Sequence, residues 1–95
     1  MNLRNDATDN LFEAILKLKS VDEFYLFFED LCTVKEIKDM SLRYQAACLL
    51  YDKENYENVI KTAKLSTGTV SRVNTCLKYG NGGYKLAIER QRKDD

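Results

Sequence analysis

Apolar residues return every three or four positions along most of the chain, and the polar residues between them include the types that start helices. Asn10 with Glu13, Ser20 with Glu23 and Thr33 with Glu36 each pair a capping residue with an acid three positions later. Such pairs satisfy amides left without partners at a helix start. The first pair also fits inside a helix that begins nearer Asn5 or Asp6. The pattern predicts helices over about 6–18, 21–31, 34–52, 55–63, 67–79 and 83–92. The joints are short, as in compact helical domains, and the final "ERQRKDD" is expected to fray at the chain end.

The width of the apolar faces says more than their spacing. In "VDEFYLFFEDLC", Val21, Phe24, Tyr25, Phe28 and Leu31 share one stripe, while Leu26 and Phe27 fall off it. A helix that is apolar nearly all round must be covered on all sides. Leu11, Phe12, Ile15, Leu16 and Leu18 before it, and Ile37, Met40, Tyr44, Ala47, Leu49, Leu50 and Tyr51 after it, are also broadly apolar. A chain of 95 residues has little material for so much covering. We therefore expect a homodimer with these N-terminal helices packed across a two-fold axis. The alternative is a monomer that leaves aromatic residues in water.

Composition supports the helical reading. Proline is absent, and three of the four glycines cluster at Gly80, Gly82 and Gly83. The length fits a single domain, residues 1–95. No apolar run approaches a membrane span, and "MNLRNDATDN" lacks the basic-then-apolar order of a signal peptide. Cys32, Cys48 and Cys76 fit neither a disulfide framework nor a zinc site, and read as small buried thiols in a reducing cytoplasm. There is no histidine, which removes the commonest general acid–base residue and metal ligand. Neither an enzyme nor a metal site is expected.

The net charge is zero, but its distribution is not even. Residues 1–59 carry seven basic and twelve acidic side chains, and residues 60–95 carry eight and three. No Asp or Glu occurs between Glu57 and Glu89. One half could approach a polyanion while the other keeps the protein soluble.

The stretch "STGTVSRVNTCLKYGNGGY" sits inside that acid-free region. At 100° per residue, Val70, Val73 and Leu77 fall together, with Cys76 at their border. Gly68, Ser71, Arg72, Thr75 and Tyr79 fall opposite, flanked by Lys78. This exposed face is small, hydroxylated and basic, as a helix entering a DNA major groove requires. Acids would repel phosphates, and bulky side chains would hold the backbone away from base edges. Upstream, Val59, Ile60 and Ala63 can pack on Val70 and Val73 across a turn at Lys64–Leu65, and Ser66 can cap the second helix. That makes a helix-turn-helix over about 55–79. Lys78-Tyr79-Gly80 reads as a helix end with glycine at positive φ. Tyr84, Leu86, Ala87 and Ile88 are then expected to return the last helix to the core.

"FEDLCTVKEIKDMSLRYQAACLL" and "YENVIKTAKLSTGTVSRVNTCLKYGNGGYK" together resemble the tryptophan-repressor superfamily, nearest its small YerC/YecD branch with the "YGNGGY" ending. The resemblance covers residues 10–90 or so. It implies an all-α, six-helix, intertwined homodimer whose paired helix-turn-helix units bind a double-stranded DNA operator, with half-sites about 34–36 Å apart. It puts the base-facing positions on Thr67, Gly68 and Ser71. Charge and position add Lys61, Lys64, Arg72, Thr75 and Lys78 as phosphate contacts. Lys64 stands where most such units have glycine, so either the turn is strained or its geometry differs.

The resemblance also maps the repressor's ligand-holding arginines and threonine onto Arg43, Arg72 and Thr33. Arginine pairs suit carboxylates, but Val73 replaces a glycine beside the ligand's indole, and Cys76 replaces a serine near its amino group. Thr33 also serves as a helix cap, Arg43 could pair with Asp39, and Arg72 could hold a phosphate. Tryptophan is therefore not expected as a corepressor and no cofactor is called for; another small ligand remains open. The expected protein is a bacterial, cytoplasmic regulator, a repressor by analogy, nucleoid-associated when bound to DNA and with no membrane partner. The competing reading is a protein-interaction module that kept the helix-turn-helix shape without DNA binding.

Overall fold

The computed structural model describes residues 2–93. Six α-helices make up its regular structure: α1 (Asp6–Leu16), α2 (Val21–Leu31), α3 (Val34–Tyr51), α4 (Tyr56–Ala63), α5 (Thr67–Tyr79) and α6 (Gly83–Lys93). No strand occurs among the described residues. No helix among them is long and apolar enough to cross a membrane. The chain divides into two compact units, one ending at Ile37 and one beginning at Lys38.

In the first unit the helix starts follow the local chemistry. Asn5 caps α1, its side chain accepting from the Thr8 amide at 2.8 Å, so Asn10 and Glu13 lie inside the helix. The Ser20 hydroxyl accepts from the Glu23 amide at 3.1 Å, and the Glu23 carboxylate reaches back to the Lys19 amide at 2.7 Å. Thr33 and Glu36 form a complete reciprocal box: the Thr33 amide donates to Glu36 at 2.8 Å and the Glu36 amide donates to the Thr33 hydroxyl at 3.1 Å. Hydrogen bonds from the Thr33 amide and then the Thr33 side chain hold the Glu36 carboxyl below its ordinary pKa. α1 ends two residues earlier than expected. The Lys17 and Leu18 amides bond three residues back, to Ala14 and Ile15, and this tightening stops the helix. Phe24, Phe27 and Phe28 stack or meet edge-on, with centroids 5.6–6.0 Å apart. No described side chain of this unit is buried.

The second unit has a core of its own. Ala46, Ala47 and Leu50 of α3, Val59 and Ala63 of α4, Val70 and Val73 of α5 and Ile88 of α6 are all buried. α3 ends in a Schellman arrangement. The Lys53 amide donates to the Leu50 carbonyl and the Glu54 amide to the Leu49 carbonyl, with Lys53 left-handed at φ 70°. The end of the chain is better tied than expected. α6 continues through Lys93, and Arg92 makes two hydrogen bonds to Asp52, at 2.6 and 2.9 Å, beside the Tyr51 ring. Tyr44 donates to Gln91 and Tyr51 to Glu89, so the second half of α6 is tied to the later part of α3. The expected fraying of Asp94 and Asp95 lies outside the described residues.

Three local expectations are corrected. Gly80 is extended (φ −82°, ψ −154°), and the positive φ belongs to Gly82 at 85°. Gly80 is constrained for another reason: a Cβ there would collide with the Cys76 carbonyl. Ile88 and Tyr84 pack on the core, but Leu86 and Ala87 are exposed, because Tyr84 and Ile88, four positions apart, share the inward face of α6 and Leu86 lies opposite. The thiols are not buried either: Cys32 and Cys48 are half-buried and Cys76 is exposed.

Candidate nucleic-acid interface

α4 and α5 form a helix-turn-helix within the second unit, and its geometry follows from a few local bonds. Asn55 caps α4 by accepting from the Asn58 amide at 2.8 Å, and the Asn58 side chain donates to Glu54 at 2.7 Å. At the other end Lys64 is left-handed, φ 56° and ψ 41°, with its amide on the Ile60 carbonyl. The strained alternative is therefore the one adopted. A non-glycine residue in this conformation costs about 1 kcal/mol or more, and the packing of Val59 and Ala63 against Val70 and Val73 holds it there. The half-buried Leu65 follows, and the Ser66 hydroxyl accepts from the Thr69 amide and donates to the Thr69 hydroxyl, starting α5.

On α5 the apolar and polar faces separate as the 100° periodicity predicts. Val70 and Val73 are buried and Leu77 is half-buried. Thr67, Gly68, Ser71, Arg72, Thr75, Lys78 and Tyr79 are exposed, as are Lys61 and Lys64. All the base-facing and phosphate-contacting candidates thus lie in one helix-turn-helix and reach solvent. No side-chain atom lies near the position a Cβ would take at Gly68, so the α5 backbone is open to close approach there. Thr75 is less free than expected. Its hydroxyl already donates to the Ser71 carbonyl at 3.0 Å, leaving only acceptor capacity unless that bond breaks.

The three candidate ligand residues are distributed differently. Thr33 belongs to the first unit and is engaged as the cap of α3, whereas Arg43 and Arg72 belong to the second and are exposed. Val73 is a core residue and Cys76 is exposed. Among the described residues no group of His, Cys, Asp or Glu side chains could hold a metal ion.

Sequence reasoning missed Lys53 and Lys85. Both are exposed and line the same cavity as Lys78. Lys53 falls in the acidic half of the chain, and Lys85 lies beyond the helix-turn-helix. Only the fold shows that they share a surface.

Similarity to known proteins agrees with this architecture. A profile of the Trp repressor protein family matches residues 6–92. The chain is 40% identical over 93 residues to the uncharacterized protein YerC of Bacillus subtilis (strain 168), covering 98% of this chain and 89% of YerC. The crystal structure of a TrpR-like protein from Eubacterium eligens ATCC 27750 superposes with a TM-score of 0.90 at 45% identity, over 94% of this chain and 92% of that one. A candidate Trp repressor from Staphylococcus aureus gives 0.91 at 41% identity, over 95% and 90%. The helix-turn-helix, the six-helix order and these similarities place the chain in the Trp repressor protein family, and within it in the YerC-like branch.

Proposed function

We propose that this protein is a sequence-specific, double-stranded DNA-binding transcriptional repressor that acts in the cytoplasm as a homodimer. The observation that carries the reading is the exposed face of α5, with Thr67, Gly68, Ser71, Arg72, Thr75 and Lys78 at the surface of a helix-turn-helix and no acidic side chain among them. The dipole of α5 directs its positive end, with the Thr67 and Gly68 amides, toward phosphate. Thr67, Gly68 and Ser71 are small enough to bring that backbone to base edges, where hydroxyls donate or accept. Lys61, Lys64, Arg72 and Lys78 supply the phosphate contacts that set orientation without reading sequence.

The homodimer is supported by the first unit, whose apolar helices bury nothing within one chain. A second copy supplies the missing contacts and, by two-fold symmetry, a second reading head. The 95 residues then act as a single domain completed by its partner. Val73 lies in the core rather than lining an open slot, which supports regulation without tryptophan.

Selection of bound fragments from random DNA tests this reading. The expected product is a palindromic consensus, bound with an affinity that falls about 10³-fold between 50 and 200 mM salt. Arg72→Ala with Lys78→Ala should weaken binding to all sequences, and Ser71→Ala should change the preferred sequence more than the overall affinity. Failure to enrich any DNA would leave the helix-turn-helix as a protein-interaction module.

A further inference from the structure

Two lysines bracket α4 in a conformation that favours glycine. Lys53 (φ 70°) and Lys64 (φ 56°) are the non-glycine residues with positive φ among those described. Lys64 is legible from sequence as a phosphate contact; Lys53 is not. Lys53 occupies the position of the α3 Schellman turn where glycine is usual. A strained residue that persists points to a role for its side chain.

The fold gives that side chain neighbours. Lys53, Lys78 and Lys85 line one concave groove of about 580 Å³, with Leu50 and Leu77 among its lining and Asn74 from the flank of α5. Lys85 is also locally unfavourable. It sits in the first turn of α6, where the helix dipole disfavours a cation and where no acid accompanies it. None of the three lysines is in an ion pair among the described residues. Nearby carboxylates are otherwise engaged: Asp52 is held by Arg92, Glu54 accepts from Asn58, and Glu89 accepts from Tyr51. The groove therefore keeps a concentrated positive charge on three exposed side chains from three helix ends. It continues the polar face of α5, because Lys78 belongs to both.

We propose that Lys53, Lys78 and Lys85 form one phosphate-binding groove that grips the DNA backbone beside the recognition helix, extending the interface onto the end of α3 and the start of α6. The occupant is a sugar–phosphate strand rather than a small ligand, because the three lysines are exposed and Lys78 is shared with the exposed polar face of α5. The inference rests on the DNA-binding reading above and adds Lys53 and Lys85 to it.

The test uses full-length Lys53→Gly and Lys85→Gln, with binding to the selected DNA measured across salt and folding followed by thermal unfolding. Removing one lysine–phosphate pair should lower the log–log salt slope by about 0.9, and in a homodimer each substitution removes two such pairs. At 0.1 M salt that is about eightfold in affinity per pair, converging toward wild type near 1 M, and it should be equal for cognate and unrelated DNA. Lys53→Gly should at the same time raise Tm by a few degrees, roughly 5 °C at most, because the turn is relieved. A stabler protein with weaker DNA binding separates a ligand contact from a structural role. An unchanged slope in either variant, with wild type binding normally, overturns the shared groove and leaves the DNA-binding reading standing. Absence of DNA binding by wild type overturns both.

Discussion

The two units are equally helical and equally well capped, yet they differ in what they bury. The unit from Lys38 onward encloses Leu50, Val59, Val70, Val73 and Ile88 with three alanines. Among the described residues up to Ile37 none is buried: Leu16 is 81% exposed, Leu26 70% and Val34 84%. Burying one such leucine contributes about 1.5–3 kcal/mol, and helices this short are marginal without tertiary contacts. The contrast teaches that good local signals suffice to define helices but not to stabilise them. The second unit holds its helix-turn-helix from within, while the first lacks a buried core of its own, which the proposed homodimer would supply.

The most severe way to break this contrast is to place charge on the exposed apolar faces. In the proposed homodimer, Leu16→Asp with Leu26→Asp would bury unpaired carboxylates, at several kcal/mol each, and should weaken self-association by about 10³-fold or more. Sedimentation should show a monomer, and DNA binding, if it needs the proposed dimer, should be lost with it. An unaltered sedimentation profile would mean that these faces pack against nothing.

Core truncations sharpen the same contrast. Ile88→Ala should cost about 2–5 kcal/mol in urea unfolding, since Ile88 is wholly buried inside its own unit. Leu26→Ala should cost stability that varies with protein concentration, because the proposed homodimer would cover this exposed side chain with a second chain. Equal concentration dependence for the two variants would erase the distinction between the units.

A smaller effect is expected at the turn of the reading head. Lys64→Gly relieves a left-handed lysine and should add about 1 kcal/mol to the unfolding free energy. It should also weaken DNA binding by removing the phosphate contact proposed for Lys64. A variant that is destabilised instead would show that the lysine side chain, not the packing of α4 on α5, holds the turn.

The smallest effect is acid sensitivity, to which each unit contributes. Glu36 is held below its ordinary pKa by the Thr33 amide and hydroxyl, and Asp52 by the Arg92 guanidinium. A lowered folded pKa means that the unfolded chain binds more protons. The stabilisation is therefore complete above the ordinary carboxylate pKa of about 4 and is lost as pH falls through the lowered values. Both groups are exposed, so the loss is modest. Asp52→Asn should flatten the fall in Tm between pH 5 and pH 2, and NMR titration should find both carboxyls below unperturbed side chains of their types.

Much of this protein is legible along the chain because helices are governed by near neighbours. The boundaries, the Thr33–Glu36 box, the Ser66 cap and the division of α5 into a buried stripe of Val70 and Val73 and an exposed face of Gly68, Ser71 and Thr75 all depend on residues three or four apart. Glycine roles are less legible. Gly80 and Gly82 are two positions apart, and which one takes positive φ depends on how α6 returns to the core. The exposed Leu86 shows the same dependence, since apolar character alone does not say which side of α6 turns inward.

The sequence by itself determined six helices, their caps and the character of the exposed face of α5, because those rest on spacing within a single turn of helix. Tertiary structure alone decided that Lys64 accepts a left-handed turn, that Arg92 closes on Asp52, and that Lys53 and Lys85 join Lys78 in one groove. These pairings link residues many turns apart. Their proximity comes from the packing of whole helices around Val59, Val70 and Ile88, and no local spacing encodes it.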